Sequence, residues 1–200
     1  MKLRQLSFFL LSSACFADTQ IAQVILAKEQ VSAKSNSIER NLTRKSPVYI
    51  ADTLKTGKQA RAQLRFSDGT ILTLGEQTQF IVDQFEHQDS SQARFSFLTG
   101  AFRVVTGKIT KVTNPNFKIK TPMGSIGIRG TDFWGGNLYS ADTIDIILLD
   151  SEHPLVIENE FGRVNISTSG FGTTLTKGQP PSEPEKWSDK KLQDAVKTIQ

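Results

Sequence analysis

The side chains that could perform chemistry in this sequence are few and widely spaced. His87 and His153 are its two histidines, and neither stands at a spacing typical of a metal site. Glu158 and Glu160 fall on one face of a predicted strand and could imitate the paired carboxylates of a glycosidase. Nothing nearby in sequence would raise the pKa of either carboxyl group, so solvated sheet carboxylates are the simpler interpretation. An envelope glycan hydrolase stays as an alternative.

Three further motifs fail on spacing or context. Ser188 and Lys191 match S-x-x-K by chance, at the start of a predicted helix. Thr106–Lys108 resembles part of a phosphate loop, but the upstream glycine is misplaced and Ile109 stands where a hydroxyl residue belongs. The glycines between positions 124 and 130 recur every third residue and so miss the G-x-G-x-x-G spacing. We therefore predict no catalytic, cofactor-binding or metal-binding residues, and a protein that is not an enzyme.

A glycine-rich corner carries the most unusual grouping of residues. Gly127 and Gly130 permit a positive φ or a close backbone approach, as tight corners between sheets require. Arg129 and Asp132 flank Gly130, and a guanidinium fork fits a carboxylate, so we expect a hydrogen-bonded pair that pins the corner. The same corner could instead serve recognition, and both interpretations stay open.

The elements that must position these residues are short strands. Apolar and polar residues alternate along Arg61–Phe66, which predicts a half-buried strand. Asp68-Gly69 between two alternating runs is a strong hairpin signal, and Ser35–Ser37 predicts another turn. About a dozen such strands bounded by turns argue for an all-β fold, an antiparallel multi-stranded sandwich or β-roll, formed by one domain over residues 18–178.

The N-terminal residues predict export. Lys2 and Arg4 precede a short apolar stretch and a small-residue cleavage site at Ala17, so residues 1–17 read as a cleavable signal peptide. Cleavage would remove the single cysteine, so the mature chain would have no disulfide or thiol chemistry. We expect an exported protein of net charge +2 that is not stably inserted in a membrane.

The C-terminal residues change character after Gly178. Prolines stiffen residues 179–187 into a predicted extended linker. Ser188 reads as the N-cap of a short amphipathic helix over residues 188–200, whose apolar residues recur at helical spacing. Because a helix of about three turns is marginal alone, we expect it to dock, either on its own β domain or on a partner.

Charged residues fall into two blocks. Residues 90–131 contain seven basic side chains and no acid, whereas residues 132–160 contain seven acids and no lysine or arginine. If these segments are neighbouring strands, opposite charges cancel across the ladder, with Lys118 and Lys120 facing acids such as Asp145. The alternative is that the basic segment 94–129 binds a polyanion or a cell-wall glycan.

The ordered set of motifs resembles the FecR-like domain family of Gram-negative bacteria. The resemblance covers Val24 to Trp187 and is most specific in KIKTPMGSIGIRGTDF, residues 118–133. LRFSDGTILTLGEQTQFIVDQF (64–85) and FLTGAFRVVTGKI (97–109) support it in the same order. The family-motif and corner residues, structural or involved in recognition, are Asp68, Gly69, Gly100, Pro122, Gly127, Arg129, Gly130, Thr131 and Asp132.

The resemblance implies a non-enzymatic all-β binding or scaffolding domain. Well-known members are membrane regulators that receive a periplasmic signal from an outer-membrane transporter and pass it inward to a sigma factor. This sequence lacks a recognisable anti-sigma segment, and no apolar run beyond the signal peptide could span a membrane. We therefore expect a stand-alone periplasmic domain that binds an envelope protein, needs no cofactor and binds no nucleic acid.

Overall fold

The computed structural model describes residues 19–86, 91–112, 116–151 and 153–200, so the predicted signal peptide and His87 lie outside the described residues. Eighteen strands and one α-helix follow one another in these segments. In chain order they are β1 (Gln20–Lys28), β2 (Val31–Ser35), β3 (Ile38–Asn41), β4 (Pro47–Tyr49), β5 (Thr53–Thr56), β6 (Arg61–Phe66), β7 (Ile71–Leu74), β8 (Gln79–Glu86), β9 (Gln92–Thr99), β10 (Ala101–Val105), β11 (Asn116–Thr121), β12 (Gly124–Ile128), β13 (Thr131–Gly136), β14 (Thr143–Ser151), β15 (Leu155–Asn159), β16 (Gly162–Ile166), β17 (Phe171–Thr176), β18 (Glu185–Lys186) and α1 (Asp189–Lys197).

The chain winds back and forth between two nine-stranded sheets. Sheet 1 has the order β18-β17-β14-β13-β10-β7-β6-β1-β4, and sheet 2 has the order β16-β15-β12-β11-β9-β8-β5-β2-β3. Because single strands and hairpins enter the two sheets alternately, strand order in both sheets largely follows chain order. β9 and β11 pair in parallel, and the other strand pairs of the described residues are antiparallel. The predicted all-β sandwich or β-roll with a short C-terminal helix is confirmed.

Local sequence signals explain several of these strands. Along β6 the apolar residues Ala62, Leu64 and Phe66 are buried, as the alternation predicts. The Asp68-Gly69 hairpin joins β6 to β7, with Gly69 at a φ of +92°. The structure has more strands than the dozen predicted, because elements such as β3 and β18 have no buried apolar residue and depend on ladder hydrogen bonds to their neighbours.

Phenylalanine rings from both sheets meet in the core between them. Phe102 of sheet 1 lies 5.5 Å from Phe80 and 4.8 Å from Phe97 of sheet 2, measured between ring centroids. Phe66 of sheet 1 contacts Phe95 of sheet 2 at 5.5 Å. Such tilted and edge-to-face pairs add about 0.5–1.5 kcal/mol each beyond the area they bury. The core therefore ties the two sheets into one body.

The C-terminal helix α1 docks on the outer face of sheet 1. Ser188 caps it by accepting a hydrogen bond from Lys191 N at 3.2 Å, as predicted. Ala195 is buried in a small apolar cluster with Trp134 and Trp187, whose rings meet edge to face at 6.0 Å. Of the two docking alternatives, the structure selects the chain's own β domain. Within the described segments, no helix is long and apolar enough to cross a membrane.

Candidate functional site

The glycine corner forms where the chain leaves β12 in sheet 2 and enters β13 in sheet 1. Gly130 has a φ of +91°, a backbone conformation that a residue with a side chain adopts only under strain. Thr131 N donates to Thr106 Oγ1 at 2.9 Å, and Thr106 N donates to Thr131 O at 3.1 Å. Ser151 Oγ donates to Gly130 O at 3.2 Å. The bend is therefore tied to the ends of β10 and β14.

Asp68 supports this corner from the β6–β7 hairpin. Its carboxylate is buried and accepts hydrogen bonds from Thr70 N at 2.8 Å and from Ile109 N at 3.0 Å. Its backbone oxygen accepts a further bond from Lys108 N at 3.0 Å. Gly107 lies so close to this hairpin that a Cβ there would approach Thr70 N to 2.5 Å. Asp68 thus fixes the short 3-10 turn at residues 108–110 beside the corner.

The predicted Arg129–Asp132 pair is wrong, because Asp132 pairs with Arg103. Arg103 Nε and Nη2 donate to the two carboxylate oxygens of Asp132 at 2.8 and 2.5 Å. Hydrogen bonding to Asp132 raises the pKa of the Arg103 guanidinium. Arg129 is exposed and has no ion pair within the described residues. Asp132 follows the bend and joins the outer face of sheet 1 next to β10, so its closest cation is on β10 and not before the bend.

An open groove of about 660 Å³ lies at this corner and combines charged, hydroxyl and apolar side chains. Val105 and Val112 expose 39% and 43% of their surfaces, although both are apolar. Among the residues that the structure describes, its lining consists of Val105, Thr106, Gly107, Thr110, Lys111, Val112, Arg129, Gly130, Thr131, Asp132, Asp150, Ser151 and His153. We call this the corner groove.

The structure gathers only part of the predicted residue set at the corner groove. Gly69 occupies the β6–β7 turn, and Gly100 lies at the opposite end of β10, where a Cβ would approach Thr78 Oγ1 to 2.3 Å. Pro122 is exposed in the β11–β12 turn. Gly127 lies inside β12 with an open position above it, where a Cβ would make an ordinary 3.5 Å contact, so its predicted role in a tight corner is wrong. These four glycine and proline positions shape turns and strands outside the groove.

The charge blocks pair differently from the prediction that named Asp145. Lys118 Nζ donates to Glu158 Oε1 at 2.9 Å, reaching across β12 over Gly127. Hydrogen bonding to Lys118 lowers the pKa of Glu158. Asp145 instead lies in sheet 1, where it accepts hydrogen bonds from Lys191 and Thr174 at 2.7 Å. Among their described residues the two blocks form two ion pairs, but Asp145 is not a partner of either predicted lysine, because consecutive hairpins alternate between the sheets.

Sequence reasoning missed several residues that shape the groove. Arg103, Lys111 and the two exposed valines were not among the predicted corner residues, although Arg103 and Val105 lie in the FLTGAFRVVTGKI motif and all four lie in the basic segment 94–129. An exposed Val105 just before Thr106-Gly107 was the available signal, because a strand end beside a turn normally carries polar residues. In the part of the chain that the structure describes, no group of three or more His, Cys, Asp or Glu side chains is arranged to hold a metal ion.

Comparison with known proteins gives a fold and a family. Two crystal structures of a candidate anti-sigma factor from Parabacteroides distasonis, at 1.65 and 2.50 Å resolution, superpose with a TM-score of 0.57 at 10% and 9% identity. Each superposition covers 70% of this chain but only 62% of the Parabacteroides chain, so the likeness concerns the fold. No curated protein matches the sequence. The profile described as FecR protein matches residues 52–152, half of the chain, and this protein therefore belongs to the FecR family.

Proposed function

We propose that this chain is a non-enzymatic binding domain of the periplasm, and that an envelope protein docks in the corner groove. The role is regulatory: the domain senses or holds a partner and changes no covalent bond. Family membership supports a regulatory domain, and the two structural neighbours are described as anti-sigma factors. A protein partner that passes a regulatory signal onward is consistent with the family membership and with the structural neighbours.

The observation that carries this proposal is the composition of the corner groove. Exposed Val105 and Val112 stand beside Arg129 and Asp150, which are charged and make no ion pair with any described residue. A docked polypeptide segment would gain affinity from contact with the exposed valines, and the unpaired charges of both signs would orient it. The hydroxyl oxygen of Thr131 is also buried without a hydrogen-bond partner in the described structure. It adds a polar group that a docked segment can reach if the bend shifts slightly.

Site-specific photo-crosslinking tests the proposal in intact cells. A photoreactive amino acid at Val112 should yield a discrete crosslinked protein in envelope extracts. Ile38 is the matched control, because it is apolar and 72% exposed but lies on β3, at the far edge of sheet 2. The adduct at Val112 should weaken severalfold in an Arg129→Ala background, because that cation orients the partner.

Three outcomes would contradict the proposal. Equal adducts at Val112 and Ile38 would mean that crosslinking reports exposure alone. If the yield of the Val112 adduct is the same in Arg129→Ala, Arg129 takes no part in recognition of the partner. Turnover of a glycan or peptide by the purified protein, lost in Glu158→Gln, would replace the binding role with catalysis.

A further inference from the structure

A second surface of the molecule, on the outer face of sheet 2, is strongly basic. Side chains that point away from the core along β9, β11, β15 and β16 include four cations and one carboxylate, Glu158, and Arg129 adds a fifth cation just after β12 ends. We call this the basic face, and its cations are Arg94, Lys118, Lys120, Arg129 and Arg163. It spans five adjacent strands, which is about 19 Å at the usual strand spacing.

Stability alone does not account for this arrangement. Lys118 stands directly beside Arg94 in the parallel β9–β11 ladder, and like charges at such positions destabilise a sheet. Glu158 neutralises Lys118, but Arg94, Lys120 and Arg163 have no ion pair among the residues described. The face therefore holds an excess of positive charge, which Asp83 and Glu86 on the adjoining strand β8 offset in part at its β9 edge.

The surface also contains a shallow depression near Gly127. Gly127 faces Lys118 across the β11–β12 ladder and contributes no side chain, and the Lys118–Glu158 ion pair spans the strand there. A hollow of about 300 Å³ lies beside this pair, bordered by Lys118, Arg129, Glu158 and Arg163. Because Lys118 is paired with Glu158, Arg129 and Arg163 supply the excess positive charge at this hollow.

The remaining outward residues indicate the chemical class of the ligand. Asn116 and Asn165 offer amide groups near the cations, which suit the hydroxyl groups of sugars, whereas the hydroxyls of Ser96 and Ser125 donate to Asp83 and Glu158. The outward positions of these five strands carry no aromatic ring on which a nucleic-acid base could stack. We propose that the basic face binds an anionic polysaccharide, with its carboxylate, sulfate or phosphate groups beside Arg129 and Arg163 and its sugar hydroxyls on the neighbouring amides.

Fluorescence anisotropy with a labelled heparin oligosaccharide tests this proposal on the purified protein. The triple change Arg94→Gln, Lys120→Gln and Arg163→Gln leaves the Lys118–Glu158 pair and the corner groove intact. Because exposed ion pairs are individually weak, the three changes together should lower affinity about tenfold at roughly 0.15 M salt. The wild-type protein should bind unsulfated dextran of equal length much more weakly than heparin.

A matched control separates a specific face from general positive charge. Arg44, Lys58 and Arg65 are exposed cations outside the basic face, and they match the triple in residue type. Their change to Gln should leave heparin affinity within about twofold, since screening confines each charge to its own surroundings. Circular dichroism and thermal melting confirm that both triple variants fold.

Several results would overturn the inference. If both triple variants lose the same heparin affinity, binding depends on net charge and not on the basic face. If the wild-type protein binds heparin no more tightly than dextran, the face has no site for anionic groups. Tighter binding to a single-stranded oligonucleotide or to anionic phospholipid vesicles than to heparin would assign the face to another class of ligand.

Discussion

Arg103 and Arg129 show how a single bend decides which cation meets Asp132. Arg129 precedes Gly130, whose positive φ turns the chain from one sheet to the other. Asp132 emerges beyond the bend on β13, where Val105 is its direct ladder partner and Arg103 its diagonal neighbour on the same face. Diagonal neighbours lie within reach of a long side chain, so the guanidinium of Arg103 binds the carboxylate.

Substitution of these residues should separate the true pair from the predicted one. Arg103→Ala and Asp132→Ala should each lower the free energy of unfolding by about 1 kcal/mol, since the pair is bidentate but partly exposed. The double variant should lose less than the sum. Arg129→Ala should melt like wild type in the same denaturant titration. If Arg129→Ala lowers the free energy of unfolding as much as Arg103→Ala does, Arg129 also stabilises the corner and the predicted pair is restored.

The hydrogen bond from Lys118 lowers the pKa of Glu158, so replacing Lys118 should change that pKa. The folded pKa of Glu158 lies below its usual value of 4.5, so the Lys118 pair stabilises the protein above that pH and is lost as pH falls through the lower folded pKa. In Lys118→Gln the pKa of Glu158 should rise toward 4.5, as measured by carboxyl carbon NMR titration. Lys120→Gln, which removes a lysine that pairs with no described acid, should shift the pKa of Glu158 much less. Equal shifts would indicate a field effect and no specific pair.

At the scale of elements, Asp68 connects a hairpin to a turn that is distant in sequence. Thr70 N and Ile109 N both donate to its buried carboxylate, so one side chain holds β6, β7 and the 3-10 turn together. Asp68→Ala should lower the free energy of unfolding by about 2–3 kcal/mol, because it leaves a buried N–H without an acceptor. Asp142→Ala, at an exposed acid, is the control in the same melts and should cost less than about 0.5 kcal/mol. Equal stability of the two variants would contradict this role.

The docking of α1 depends on the absence of a side chain at Gly75. A Cβ there would lie 2.3 Å from Thr198 O, just beyond the end of the helix. Gly75→Ala should therefore displace the end of α1 and break the hydrogen bond from Trp134 Nε1 to Thr198 Oγ1, which spans 3.0 Å.

Tryptophan fluorescence reports this displacement directly, because the chain has two tryptophans and both lie under α1. The emission of Gly75→Ala should shift to longer wavelength as water reaches Trp134. Gly127→Ala is the matched control, since its added Cβ makes only an ordinary 3.5 Å contact. An unchanged emission spectrum in Gly75→Ala would mean that the helix adjusts without leaving its site.

At the scale of the whole molecule, export can be tested by mass. The predicted cleavage after Ala17 implies a mature chain that begins at Asp18, one residue before the described structure begins. Cell fractionation should place that chain in the periplasm, and its intact mass should equal that of residues 18–200. A full-length chain held in the inner membrane would contradict periplasmic release.

The sequence by itself determined the class of the fold and its local landmarks. Alternation along β6, the Asp68-Gly69 turn and the Ser188 cap each depend on residues that are close in the chain, so their physics can be read locally. Only the tertiary structure decided the partners of Asp132, Lys118 and Asp145. These contacts depend on ladder register and on which sheet each hairpin enters, and a shift of one residue or one sheet changes every pair. The glycine corner and the basic segment 94–129 were visible in the sequence, but the full sets of side chains in the corner groove and on the basic face were not, because they come from strands that are distant in the chain.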